Sequence, residues 1–139
     1  MMKPLLSLLF IGGLIVSPAA DSNSDSATLT RLMAIHTQGV NSELGRGMPH
    51  DLANAAKWYR RAAELGYADA QNDLAKLYDD GRGVPQDNVQ AYVWYSLAAD
   101  RGNSCSVEDR KHLLQRMNRA ELTQAQALLR QLKPTIKFK

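Results

Sequence analysis

The feature that most constrains this chain is a recurrence. The stretch "LGRGMPHD" runs from Leu44 to Asp51, and "DGRGVPQD" runs from Asp80 to Asp87. A shift of 36 residues lays Gly81, Arg82, Gly83, Pro85 and Asp87 on Gly45, Arg46, Gly47, Pro49 and Asp51. The register continues without a gap: Ala91, Trp94, Tyr95, Ala98, Ala99 and Gly102 fall on Ala55, Trp58, Tyr59, Ala62, Ala63 and Gly66. Between residues 34–66 and 70–102, 12 of 33 positions are identical. The identities concentrate in glycine, proline, alanine and aromatics, which shape backbones and fill gaps between packed elements. A period in this range means one supersecondary unit stacked on its own copy.

Within each unit the apolar period is helical. Ala55, Trp58, Tyr59, Ala62 and Ala63 step by three or four, as do Ala91, Trp94, Tyr95, Ala98 and Ala99. Small alanines beside large aromatics let helices approach closely and interlock. Ala70, Leu74, Leu77 and Tyr78 form a second stripe, so each unit is a helix, a corner and a helix. In the corner, Gly81 suits a left-handed helix end, where a Cβ is penalised. Gly83 allows a second change of direction, and Gly45 and Gly47 do the same one unit earlier. Val84, which replaces Met48, fills between the helices, Pro85 delays the return to helix, and Asp87 caps the next one. A phosphate loop would follow a strand and carry more glycines or a Gly-Lys-Ser/Thr ending. A calcium loop would alternate acids at fixed spacing. Neither pattern is present, so the corner is structural.

The N-terminus differs from the rest. Lys3 precedes an apolar run from Leu5 to Val16, followed by Ser17, Pro18, Ala19 and Ala20. This is the layout of a secretory signal peptide over residues 1–19, cleaved after Ala19, and the run is short for a membrane span. The expectation is a soluble periplasmic or secreted protein with no integral membrane span after cleavage. Residues 20–28 are polar and read as a flexible leader. One cysteine, Cys105, leaves no intramolecular disulfide. The net charge of +3 is uneven: residues 108–139 carry +5 and residues 20–107 carry −3. A solvated basic helix face explains the tail, and an exported protein has little occasion to meet nucleic acid.

No catalytic or metal-binding pattern emerges. His36, His50 and His112 lack a second histidine or a cysteine at ligand spacing, so no metal and no cofactor is expected. Neither Ser-x-x-Lys nor Gly-x-Ser-x-Gly occurs. Asp79 and Asp80 are adjacent acids at a helix end, where a solvated pair is the ordinary explanation.

Taken together, Ala68, Ala70, Leu74, Tyr78, Gly81, Gly83, Val84, Asp87, Ala91, Trp94, Tyr95, Ala98, Ala99 and Gly102 resemble a Sel1-like repeat, with Ala75 at a position where that family has glycine. The earlier unit keeps the corner and second helix. Its first helix is degenerate, with Gly39 in place but Gln38 and Ser42 for leucine and tyrosine. The resemblance implies an all-α fold, a short α/α solenoid similar to tetratricopeptide arrays. The units are residues 29–66 and 67–102. Residues 103–139 read as C-terminal capping helices, lined by Val107, Leu113, Leu114 and Met117 and then by Leu122, Ala125, Leu128, Leu129 and Leu132, ending in a loose basic tail.

Such solenoids usually recognise another protein or peptide along an extended surface. The resemblance puts the first helix of each pair on that surface. Opposite the core stripe lie Asp69, Asn72, Lys76 and Asp79, and one unit earlier Met33, His36, Val40 and Glu43. For the degenerate helix, burial of these residues in the core is an equal alternative. The expected role is an adaptor or scaffold in the bacterial envelope, with weak self-association through solenoid ends. A protein that neutralises an exported toxin or hydrolase is an alternative. A β-lactam or peptidoglycan enzyme is another, suggested by cysteine-rich exported relatives whose paired cysteines are missing here.

Overall fold

The computed structural model describes the backbone from Lys3 to Ile136 and side chains from Ser24 onward. The side chains of the expected signal peptide, residues 1–19, lie outside the described residues. Six helices follow one another: α1 Lys3–Leu44, α2 Leu52–Glu64, α3 Ala68–Asp80, α4 Asn88–Asp100, α5 Ser104–Leu114 and α6 Arg119–Leu132. There is no strand among the described residues. The chain divides into two compact units, one ending at Arg31 and one beginning at Leu32. Residues 24–28, expected as an irregular leader, are helical within α1. Once a helix is nucleated, each further residue adds a hydrogen bond at small cost, so polar residues continue it.

From Leu32 on, the helices alternate between two rows. The C-terminal half of α1, then α3 and α5, form the first. The second holds α2, α4 and α6, with α2 packed on α3 and α4 packed on α3, α5 and α6. The 36-residue period is kept as far as the start of α5: α3 begins at Ala68 and α5 at Ser104, α2 ends at Glu64 and α4 at Asp100, whereas α6 starts earlier, at Arg119. The starts of α2, α4, α5 and α6 are fixed by side-chain caps, whereas α3 begins after Tyr67 without one. Asp51 accepts from the Asn54 amide at 2.9 Å and Asp87 from the Gln90 amide at 3.1 Å. Asn103 caps α5 through the Ser106 amide at 2.9 Å, and Asn118 caps α6 in a reciprocal capping box with Glu121.

The corner works as the sequence indicated. Gly81 closes α3 in the left-handed conformation at φ +65°, and Val84 packs against the core. Gly83 meets two demands at once. Its φ is +72°, and a Cβ there would lie 2.4 Å from the Leu52 carbonyl at the start of α2. The second corner therefore rests on the helix of the preceding unit. Gly47 has the same conformation, at φ +69°, with nothing within 4 Å of a Cβ.

The core is built from the repeated stripe. Ala55, Tyr59, Ala62, Ala63, Ala91, Trp94, Tyr95 and Ala98 are buried, whereas Trp58 is only partly so. Gly39 of α1 lies against the Tyr59 ring, where a Cβ would be 2.5 Å away. Around α4 the burial extends to nearly every side, including Val89, Val93, Ser96 and Leu97, because three helices surround it. The cap differs from the expectation in two respects. Leu114, expected in the apolar lining of α5, is exposed at 37%, while Ser106 is buried. Of the stretch expected as a loose tail, residues 137–139 lie outside the described residues, but Ile136 is 4% exposed and joins the core, its amide bonded to the Leu132 carbonyl.

Candidate partner-binding face

The eight candidate side chains do not share one environment. His36 and Glu43 lie in the seam between α1 and α3. The His36 Nε2 is 2.8 Å from Asp73 Oδ2, and its ring packs 5.4 Å from Tyr59 and 5.3 Å from Tyr67. The Tyr59 hydroxyl donates to Glu43 Oε2 at 2.6 Å, and Arg82 donates to Glu43 Oε1 at 3.3 Å. One unit on, Asn72 and Asp79 lie in the seam between α3 and α5. Asn72 is 6% exposed and accepts from the Ser106 hydroxyl at 2.7 Å. Asp79 accepts from the Tyr95 hydroxyl at 3.2 Å and from Arg116.

Asn72 is therefore turned into the seam, away from solvent. The physical reason is that a first-row helix has neighbours on three sides: the second row, the preceding helix and the following one. Positions opposite the core on a helical wheel are thus divided between seam and open face. Asp69 and Lys76 are on the open face, as is Met33, which is 50% exposed. Val40 is partly buried against the core. Asp69 accepts from Asn103 Nδ2 at 3.3 Å, and Lys76 Nζ is 4.0 Å from Asp109 Oδ2.

The period identifies the rest of the open face. The positions of Asp69 and Lys76 on α3 are joined by Asp73, partly buried, and Asp80, exposed. On α1 the equivalents are Met33, Thr37, Val40 and Leu44, the last 53% exposed. On α5 they are Cys105, Asp109 and His112, followed by Arg116 in the turn just after the helix, and all but Asp109 are exposed. Sequence reasoning missed the α5 set because the recurrence was not carried past Gly102. Shifting Asp73 and Leu77 by another 36 residues reaches Asp109 and Leu113, the signal that was there to find.

Two concavities accompany this arrangement. An open depression of about 540 Å³ lies between α3 and α5, lined by Lys76, Ser104, Cys105, Val107, Glu108 and Asp109. A groove of about 400 Å³ runs between α2, α4 and α6 beside Trp94. The Trp94 indole nitrogen there lacks a hydrogen-bond partner, yet it is shielded from solvent and so is not presented to a ligand. No group of three or more potential metal ligands occurs among the described residues.

Paired helices stacked in two rows with a glycine corner between them define an α/α solenoid repeat protein. Residues 39–67 and 68–103 match the Sel1 repeat. Among solved structures it resembles c5321, a protective antigen present in uropathogenic Escherichia coli strains and displaying an SLR fold. The identity is 32% and the TM-score 0.72, over 75% of this chain and 22% of that one. It also resembles a Sel1 repeat protein from Oxalobacter formigenes, at 38% identity and a TM-score of 0.58, over 59% of this chain and 24% of that one. The chain thus spans about a quarter of the length of these structures or less. No curated protein matches it.

Proposed function

We propose that this chain is a non-catalytic protein–protein interaction module, acting as an adaptor or scaffold in the bacterial envelope. Sel1 repeats generally mediate contacts between proteins, and two are present. The observation that carries the reading is the open face of the first row. Its positions recur every 36 residues, and several side chains on it, including Met33, Leu44 and Asp80, are not used to hold the helices together. Placement in the envelope is supported by Lys3, the apolar run to Val16 and the small residues after it. Among the described residues, no helix is long and apolar enough to cross a membrane. The non-catalytic part is supported by the lack of any motif pairing a nucleophile with a base.

The test is capture of the full chain from cell envelopes after mild crosslinking. A single stoichiometric protein partner, recovered from the periplasmic fraction, is the expected outcome. Turnover of a β-lactam or a peptidoglycan fragment by the pure protein would sink the non-catalytic part, and recovery only from the cytoplasm would sink the placement.

A further inference from the structure

The open face changes chemistry from helix to helix. Over α1 it is aliphatic and uncharged, with Met33 and Leu44 about half exposed and Val40 beside them. Over α3 it is acidic. Asp80 has no ion-pair partner among the described residues, and Asp69 is bonded to the neutral Asn103 amide. Lys76, the one cation of the α3 strip, is turned toward Asp109. Along and just past α5 the strip carries Asp109, which faces Lys76, then His112 and Arg116, the last paired with Asp79. Among the described residues, therefore, the two exposed carboxylates on α3 have no ion-pair partner, although the chain as a whole carries a net charge of +3.

We propose that this face takes a peptide segment that crosses the three helices, aliphatic where it lies on α1 and bearing lysine or arginine where it lies on α3. This rests on the interaction-module reading above and names the chemistry of its partner. Exposed aliphatic side chains beside uncompensated carboxylates favour a segment whose own apolar and basic residues are adjacent in sequence. Helices pack about 8–10 Å apart, so three of them span roughly 20 Å. An extended segment of about six or seven residues, at roughly 3.3 Å each, crosses that distance.

Cys105 supplies the test, since it is the single cysteine, is exposed and borders the depression. A small environment-sensitive dye on Cys105 reports titration with a synthetic nine-residue peptide that has leucines at one end and lysines at its centre. Calorimetry on the unlabelled chain checks that the dye does not interfere. Saturable binding that tightens at low salt is expected. It should weaken about tenfold in an Asp69→Lys, Asp80→Lys double variant, and several-fold in a Met33→Ser, Leu44→Ser double variant. These positions are exposed, and unchanged helix content by circular dichroism confirms folding. Equal binding of a peptide with glutamates at its centre overturns the proposal. So does unchanged affinity in the acidic-to-basic variant, or no saturable binding of either peptide. A partner captured in cells that ignores both double variants leaves the interaction module standing and removes this face. Failure to capture any partner removes the module reading itself.

Discussion

At the scale of single residues, the seams repeat one device. In each unit a buried tyrosine donates to an acid on the preceding first-row helix, and an arginine from the following corner holds that acid's other oxygen. Tyr59, Glu43 and Arg82 form one set; Tyr95, Asp79 and Arg116 form the next. The device aligns successive units, because its three members come from three consecutive parts of the chain. Tyr59→Phe keeps the packed ring and removes the hydroxyl, so we expect a loss of about 1 kcal/mol in urea unfolding. Tyr95→Phe should cost less, since its bond is longer. Burial and the neighbouring carboxylates push both phenols well above their ordinary range. The native state therefore holds these protons to higher pH than the unfolded chain does. The sign follows: their contribution is complete below pH ~10, where unfolded tyrosine is also neutral, and is lost as pH rises beyond it. Unfolding midpoints measured from pH 8 to 11.5 should stay level to about 10 and then fall, with a shallower fall in Tyr59→Phe. A level curve throughout would contradict this account of the seam.

At the scale of elements, the corner was legible from the sequence and the partner-facing set was only partly so. Gly81, Gly83, Val84 and Asp87 are read correctly because each answers a local demand of backbone or cap, which residue type alone reveals. The open face has no such demand. Asn72 and Lys76 look alike on a helical wheel, and only the position of α5 turns one into the seam and leaves the other outside. For the same reason α5 reads as a cap rather than a third first-row helix: most of its side chains differ from those of α3, although its spacing does not. The glycines offer a paired test. Gly83→Ala meets an unfavourable φ and the Leu52 carbonyl, while Gly47→Ala meets the φ alone. Roughly 1 kcal/mol is expected for Gly47→Ala and at least twice that for Gly83→Ala, compared by thermal unfolding. Equal losses would mean that the second corner does not rest on α2.

At the scale of the whole second unit, the cap closes the second row. α6 packs along α4, and the turn after it carries Ile136 back into the core. Composition did not reveal this, because "TIKFK" is short and strongly basic and offers no periodic stripe. Ile136 is buried because of the groove it fills. Ile136→Ala should lower stability by about 2–4 kcal/mol, and unfolding should remain a single transition by both fluorescence and circular dichroism. Separate transitions for the repeats and the cap would show that α5 and α6 fold independently, contrary to the continuous core.

The contact of Gly83 with the start of α2 is a joint between units, and every joint of this kind is set by the 36-residue spacing. A duplicate of residues 68–103 inserted before Ser104 reproduces each joint, each capping residue and each seam in order. An insertion of 35 or 37 residues instead rotates everything downstream by about 100° on the helical wheel and breaks them all. Such a chain lengthens by copying whole units. Each copy adds one more strip to the outer face, so the length of partner it can span becomes a matter of gene duplication rather than of redesign.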